Sequence, residues 1–74
     1  MKVKVYTTPH CPYCEKVKKF LEAGGAEVEM VDVSDRQEWF FEHTGQMSVP
    51  VTEYNGKMVM GYSERKLSKL LIGV

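Results

Sequence analysis

Residues 7–14 read Thr-Thr-Pro-His-Cys-Pro-Tyr-Cys and hold the only two cysteines of the chain, Cys11 and Cys14. They lie where an extended segment ends and a helical pattern begins. A Cys-x-x-Cys pair is also half of a common zinc site, so the spacing alone leaves two interpretations open. The position of this pair, after a predicted strand and at a predicted helix start in a short β/α chain, favours thiol–disulfide chemistry.

The two cysteines have different predicted roles because they differ in position along the helix. Cys11 is expected at the helix N-terminus, where free backbone N–H groups and the helix dipole stabilise a thiolate. Pro12 suits the first helical turn because it has no N–H to satisfy and its φ is already helical. Cys14 lies almost one turn later, close enough to attack a mixed disulfide on Cys11. We therefore expect Cys11 to be the nucleophile and Cys14 the resolving thiol.

Composition restricts the class of protein. The 74 residues predict one domain over residues 1–74 with a small core. Basic and acidic residues number ten each, so we expect no nucleic-acid partner, which would require a basic excess. No apolar run approaches the roughly 20 residues that cross a bilayer, and no signal-peptide pattern is present, so we expect no membrane association. Two cysteines are too few for a disulfide-stapled secreted scaffold, and these features together predict a small cytoplasmic protein.

Hydrophobic periodicity predicts seven elements in the order β-α-β-α-β-β-α. The predicted strands are residues 2–6, 28–33, 51–54 and 57–60. The first helix has Cys11 at its N-terminal end and shows its apolar repeat from Cys14 onward. The second is predicted to begin in a capping box at Ser34 and Gln37, and the third follows Ser63 as its N-cap. The first helix connects two strands that should be parallel, and the Asn55-Gly56 turn should make the last two antiparallel.

Three adjacent aromatic residues, Trp39, Phe40 and Phe41, fall in the second predicted helix. Side chains at consecutive helical positions point in different directions, so the three cannot all face one core stripe. We expect at least one of them to be partly exposed.

This order of elements around Cys11-Pro12-Tyr13-Cys14 resembles a minimal thioredoxin fold, and more narrowly a short glutaredoxin-like redoxin. The resemblance covers nearly the whole chain and depends on three separated segments, residues 11–14, 44–50 and 61–63. It implies an α/β fold with a four-stranded mixed sheet flanked by three helices. It also implies that the Val49–Pro50 bond is cis and that Val49 offers its backbone N–H and C=O to a substrate segment beside the cysteines. The substrate-binding residues implied in this way are Pro12, Tyr13, Gln46, Val49, Pro50, Tyr62 and Ser63.

The chain departs from the family pattern at three positions that concern glutathione. Glutaredoxins that use glutathione often have a lysine at the position of Thr8 and a Gly-Gly-x-Asp turn before the last helix. Here that turn is residues 60–63, Met-Gly-Tyr-Ser, without the first glycine and without the acidic residue. Gln46 and the helix N-terminus at Ser63 remain available to a carboxylate. The resemblance therefore predicts either glutathione or thioredoxin reductase as the reductant.

The function implied by the resemblance is that of a monomeric thiol–disulfide oxidoreductase with no bound cofactor. Its Cys11/Cys14 dithiol would reduce disulfides in proteins or small molecules. The alternative is an iron–sulfur or metal-binding module without turnover. Family members that bridge a cluster usually lack a proline at the position of Pro12, and a zinc site would need His10 and His43 beside the two cysteines.

Overall fold

The computed structural model describes residues 2–72 of the chain, and its seven elements follow the predicted order. The strands are β1 (Lys2–Thr7), β2 (Glu27–Asp32), β3 (Val51–Tyr54) and β4 (Lys57–Met60). The helices are α1 (Pro12–Ala23), α2 (Gln37–Thr44) and α3 (Glu64–Ile72). The predicted α/β architecture of four strands and three helices is confirmed.

The four strands form one mixed sheet in the order β2-β1-β3-β4. The strands β1 and β2 are parallel, whereas β3 is antiparallel to both β1 and β4, as the sequence predicted. At one end of the sheet Thr7 pairs with Asp32, and the adjacent Tyr6 pairs with Val51. This end of the sheet therefore brings together the loop that leaves β1, the end of β2 and the segment that enters β3.

One face of the sheet is covered by α1 and α3, and this face holds the larger core. On α1 the buried side chains of Val17 and Leu21 are four residues apart, the spacing of an amphipathic helix. Residues from β1, β4, α3 and the turn before β2 complete the cluster. Its buried members are Val3, Val5, Val17, Leu21, Ala26, Val59, Leu67 and Leu70. Each buried aliphatic side chain of this kind contributes about 1.5–3 kcal/mol of transfer free energy, so this cluster dominates the stability.

The opposite face is covered by α2 over a smaller area. Phe40 is 2% exposed and packs in a cluster with Tyr6, Val33 and Val51. Its neighbours on the helix, Trp39 and Phe41, are 44% and 49% exposed. The prediction that the three aromatics would not all be buried is confirmed.

Positive φ angles mark two of the turns that the sequence predicted. Asn55 and Gly56 have φ of 51° and 80°, the left-handed pair that a two-residue hairpin requires. Gly45 has φ of 74° at the C-cap of α2, and its N–H donates to the Phe41 carbonyl. A side chain at either glycine would be strained.

The predicted capping box at Ser34 is wrong. The helix α2 begins three residues later, with Arg36 at the N-cap and no side-chain cap. The Ser34 N–H instead donates to Asp32 Oδ1 at 2.8 Å. Asp32 ends β2, and its side chain accepts a hydrogen bond from the backbone two residues later. Short polar side chains often bind nearby backbone in this way, and the turn that results competes with helix formation. The chain therefore makes a tight turn after β2 before the helix starts.

No helix within residues 2–72 combines the length and the apolar character that crossing a membrane requires.

Candidate functional site

Cys11 is the N-cap of α1, as predicted. Its backbone is extended, with φ −103° and ψ 103°, and Pro12 follows at the first helical position. The Cys11 N–H donates to the Thr8 carbonyl at 3.3 Å, which closes the loop between β1 and α1. Cys11 thus stands at the end of the helix where the free N–H groups of the first turn and the helix dipole favour a negative charge.

Cys11 and Cys14 are joined by a disulfide, with their Cα atoms 5.4 Å apart. Cys14 is 2% exposed, whereas Cys11 is partly exposed. Solvent and any large reactant therefore reach the bond from the Cys11 side. This difference in access follows from the helix geometry, because Cys14 is three positions before the buried Val17 and shares its face.

A cavity of about 270 Å³ opens beside the disulfide. Its lining residues are Thr7, Thr8, Pro9, Cys11, Cys14, Glu15, Met30 and Asp32. Two carboxylates therefore border the space next to the sulfur atoms. Hydrogen bonds from the backbone N–H and side chain of Ser34 hold the pKa of Asp32 below its usual value, so this carboxylate is charged at neutral pH.

A second side of the site is aromatic. The ring of Tyr13, which is 53% exposed, stacks on that of Tyr62 with centroids 6.5 Å apart. Phe20 contacts Tyr62 edge-on at 6.5 Å, and the Lys16 Nζ lies 5.1 Å from the centroid of the Tyr13 ring. The Tyr62 hydroxyl donates to Glu64 at 2.7 Å, which raises the pKa of Tyr62. Tyr13 and Tyr62, both predicted as substrate-binding residues, form one continuous surface.

The Val49–Pro50 peptide bond is cis, as the resemblance implied. It immediately precedes β3, whose Val51 pairs with Tyr6 of β1. The cis bond therefore lies at the end of the sheet from which the cysteine loop leaves. The Pro50 carbonyl accepts the Gly61 N–H at 2.8 Å, which fastens the turn before α3 to this edge. Val49 is half-buried and packs against the smaller core.

Gln46 and Ser63 are held by local contacts. The Gln46 N–H donates to Thr44 Oγ1 at 3.1 Å, in the turn after α2. The Ser63 hydroxyl accepts the Lys66 N–H at 3.4 Å and its carbonyl accepts the Leu67 N–H, which confirms Ser63 as the N-cap of α3. Neither residue is among those that line the cavity beside the disulfide.

Sequence reasoning missed the role of Asp32 and Met30 as walls of the cavity. The signal that could have found them was the parallel pairing of β1 and β2. Parallel strands end at the same edge of a sheet, so the last residues of β2 had to lie beside the loop after β1. Within the described part of the chain, no group of three or more His, Cys, Asp or Glu side chains is arranged to hold a metal ion.

Comparisons with known proteins agree with this geometry. The family model described as glutaredoxin matches residues 3–59. An uncharacterised glutaredoxin-like 8.6 kDa protein of the rubredoxin operon of Clostridium pasteurianum is 31% identical over 72 residues, which are 93% of this chain and 96% of that one.

Two solved structures are similar over most of the chain. The glutaredoxin from Archaeoglobus fulgidus superposes with a TM-score of 0.78 at 32% identity, covering 95% of this chain and 84% of that one. The glutaredoxin-like NrdH-redoxin from Escherichia coli gives a TM-score of 0.79 over 95% of both chains, and at 24% identity it supports the fold alone. Together with the cysteine pair at the start of α1, these matches show that the chain belongs to the glutaredoxin family.

Proposed function

We propose that this protein is a dithiol–disulfide oxidoreductase in which Cys11 is the nucleophile and Cys14 the resolving thiol. The observation that carries the proposal is the unequal exposure of the two sulfur-bearing residues at the N-terminus of α1. Cys11 is partly exposed and next to the free N–H groups of the helix, whereas Cys14 is 2% exposed. Membership of the glutaredoxin family supports the same chemistry.

The proposed reaction transfers two electrons from the dithiol to a substrate disulfide. The Cys11 thiolate attacks one substrate sulfur, forming a mixed disulfide and releasing the other substrate sulfur as a thiolate. Cys14, after losing its proton to solvent, attacks the Cys11 sulfur and releases the second substrate thiolate. The product state is the Cys11–Cys14 disulfide, the state that the structure describes.

The substrate is proposed to lie as a short extended segment across the site, between the cis-Pro50 edge and the aromatic pair. Val49 precedes the cis bond and would offer its backbone N–H and C=O to that segment. The stacked rings of Tyr13 and Tyr62 would supply apolar contact area. Pro12 is exposed at the start of α1 and borders the same surface.

A flavoprotein of the thioredoxin reductase kind is the proposed reductant, in preference to glutathione. Glutathione carries two carboxylates. The cavity beside the disulfide is bordered by the carboxylates of Glu15 and Asp32, and Thr8 stands at the position where many glutathione users have a lysine. Glu64 adds a third carboxylate at the start of α3. Like charges at these positions oppose the binding of the two glutathione carboxylates.

The test of the mechanism uses two variants of the full chain and an insulin disulfide as substrate. The Cys11→Ser variant should lose turnover. The Cys14→Ser variant should accumulate a mixed disulfide with the substrate on Cys11, detected as an adduct by intact mass spectrometry. A Cys11→Ser variant that retains full turnover would contradict the nucleophile assignment.

The reductant is tested by following NADPH oxidation with a small disulfide substrate in two coupled assays. One contains glutathione with glutathione reductase, and the other contains thioredoxin reductase alone. We expect turnover mainly in the second assay. Faster turnover with glutathione would show that Gln46, Val49 and Ser63 bind it despite the surrounding carboxylates. No turnover in either assay, with both thiols free, would favour the metal-binding alternative.

A further inference from the structure

A cavity away from the disulfide lies between the edge strand β4 and the helix α3. Its volume is about 450 Å³. The lining residues are Lys57, Met58, Val59, Lys66, Lys69 and Leu70. We call this feature the β4–α3 groove. Val59 and Leu70 belong to the larger core and form an apolar floor, while the lysines form the rim.

One wall of the β4–α3 groove is a sheet edge. The strand β4 pairs with β3 and with no other described strand. In the hairpin, Tyr54 and Lys57 flank the two-residue turn and exchange their backbone hydrogen bonds. The next residue, Met58, and then Met60 must therefore point their backbone N–H and C=O groups away from β3. These groups are a template on which an extended segment can add as a fifth strand.

The other wall is basic. Lys66 and Lys69 are exposed, and their spacing of three residues puts them on one side of α3. Lys57 adds a third positive charge on the β4 side. From residue 57 to residue 69 the chain contains four basic residues and only one acidic residue. The neutral chain as a whole thus concentrates positive charge around this groove.

We propose that the β4–α3 groove binds an acidic, extended segment of a protein partner by strand addition to β4. Backbone hydrogen bonds to Met58 and Met60 would supply affinity. Carboxylates on alternate residues of the segment would face α3 and contact Lys66 and Lys69, because alternate side chains of a strand lie on one face. The proposal concerns a surface separate from the disulfide and does not depend on the redox chemistry.

A peptide fits these features better than a nucleic acid does. A nucleic acid would use the lysines but has no backbone that pairs with the edge of a β-sheet. The apolar floor of Val59 and Leu70 likewise suits a side chain and not a phosphate chain. The chain also lacks the overall basic excess that nucleic-acid binding favours.

The experiment titrates the ¹⁵N-labelled full chain with a blocked hexapeptide of alternating glutamate and valine, monitored by amide chemical shifts. We expect the largest shifts at Met58, Met60, Lys66 and Lys69, and binding that weakens as salt is raised. The double variant Lys66→Glu, Lys69→Glu should weaken binding by about tenfold or more. The control Lys18→Glu, Lys19→Glu makes the same change of net charge on α1 and should change the dissociation constant by less than about twofold.

The peptide backbone provides a second control. One version of the peptide is N-methylated at its odd residues and a second version at its even residues. Both keep every charge, but each loses the backbone N–H donors along one of the two sides of the strand. Strand addition predicts that one of them binds much more weakly than the other. Equal affinities for the two peptides would overturn it.

Three further outcomes would contradict the proposal. The first is an absence of shifts around the groove at saturating peptide. The second is tighter binding of a single-stranded oligonucleotide that depends on Lys66 and Lys69, which would assign the surface to nucleic acid. The third is concentration-dependent self-association that the Lys66→Glu, Lys69→Glu variant abolishes, which would assign it to a second copy of this chain. Disulfide reduction by that variant should be unchanged, so a failure here is distinct from a failure of the redox proposal.

Discussion

Asp32 decides the charge of the disulfide surroundings more than any residue of the Cys-Pro-Tyr-Cys motif. It lines the cavity together with Glu15, and hydrogen bonds from Ser34 hold its pKa below the usual value. The motif could be read from the sequence because its residues are adjacent. The position of Asp32 could not be read in that way, since it depends on the register that pairs Thr7 with Asp32 across 25 positions of chain.

Removing these two charges should improve the use of glutathione. In the double variant Glu15→Gln, Asp32→Asn we expect kcat/KM in the glutathione assay to rise about fivefold, since two charges that repel the carboxylates of glutathione are removed. The asparagine keeps an acceptor for the Ser34 N–H. The measurement is the ratio of kcat/KM between the glutathione and thioredoxin reductase assays. An unchanged ratio would show that the carboxylates do not select the reductant.

Thr52 is the one buried polar residue in the described core, with 0% exposure. Its hydroxyl has no hydrogen-bond partner among residues 2–72. A buried hydroxyl without a partner costs free energy, and valine has nearly the same shape. Thr52→Val should therefore raise the free energy of unfolding by about 1 kcal/mol, measured by urea denaturation. Thr52→Ser keeps the hydroxyl and loses the methyl group, so it should destabilise. Destabilisation by both variants would indicate a partner such as a bound water.

Among the elements, α2 is attached to the sheet by a polar cluster as well as by Phe40. The Tyr6 hydroxyl on β1 donates to Glu53 Oε1 on β3 at 2.5 Å. The His43 Nε2 on α2 lies 3.2 Å from both oxygens of the same carboxylate, and its ring stacks on Trp39 with centroids 4.9 Å apart. One carboxylate thus links two strands and a helix.

The cluster shifts the pKa of two of its members. Burial, followed by the hydrogen bond to Glu53, raises the pKa of Tyr6 above its ordinary value of 10.0. Burial alone would raise the pKa of Glu53, but the hydrogen bonds from Tyr6 and His43 outweigh it and the pKa lies below 4.5. Above pH 10 the unfolded chain loses the Tyr6 proton first, which favours unfolding. Below pH 4.5 the unfolded chain binds the Glu53 proton first, which also favours unfolding.

The free energy of unfolding should therefore decline at both ends of the pH range, because of Tyr6 at high pH and because of Glu53 at low pH. In Tyr6→Phe the loss above pH 10 should be smaller than in the wild type, while the loss below pH 4.5 remains in part through His43. At neutral pH the same variant should be less stable by about 1–2 kcal/mol because a hydrogen bond to a charged group is removed. The measurement is urea denaturation across pH. Parallel curves for the two proteins above pH 10 would contradict the assignment to Tyr6.

The sequence predicted the elements better than their ends. Hydrophobic patterning together with the Asn55-Gly56 turn located the strands and helices. The start of α2 was wrong because Ser34 had two available uses, as a cap or as the donor to Asp32, and only the folded geometry selects between them. The cis bond before Pro50 had no local signal and came from the resemblance alone.

In the whole molecule the two faces of the sheet are held by unequal cores. The α1 and α3 face has eight buried residues in its cluster, whereas the α2 face has four. The helix α2 contributes only Phe40 as a fully buried side chain. Elements with few buried apolar contacts open at a lower free energy than the global unfolding. The turn after α2 leads through Gln46 to Val49 and Pro50, so such an opening would first loosen the part of this chain that is proposed to bind the substrate.

Native-state hydrogen exchange should resolve this difference. We expect the amides of α2 to exchange through an opening of lower free energy than those of β1 and β3. Phe40→Leu should speed exchange in α2 selectively. The smaller side chain weakens the packing that α2 must break when it opens, and Phe40 is the fully buried side chain of this helix. The matched control is Leu21→Val in the larger core, which should reduce protection in β1, β3 and α1 together. If Phe40→Leu lowered protection in β1 and β3 as much as in α2, the two faces would unfold as one unit, and the mobility of the Val49–Pro50 edge would require a different source.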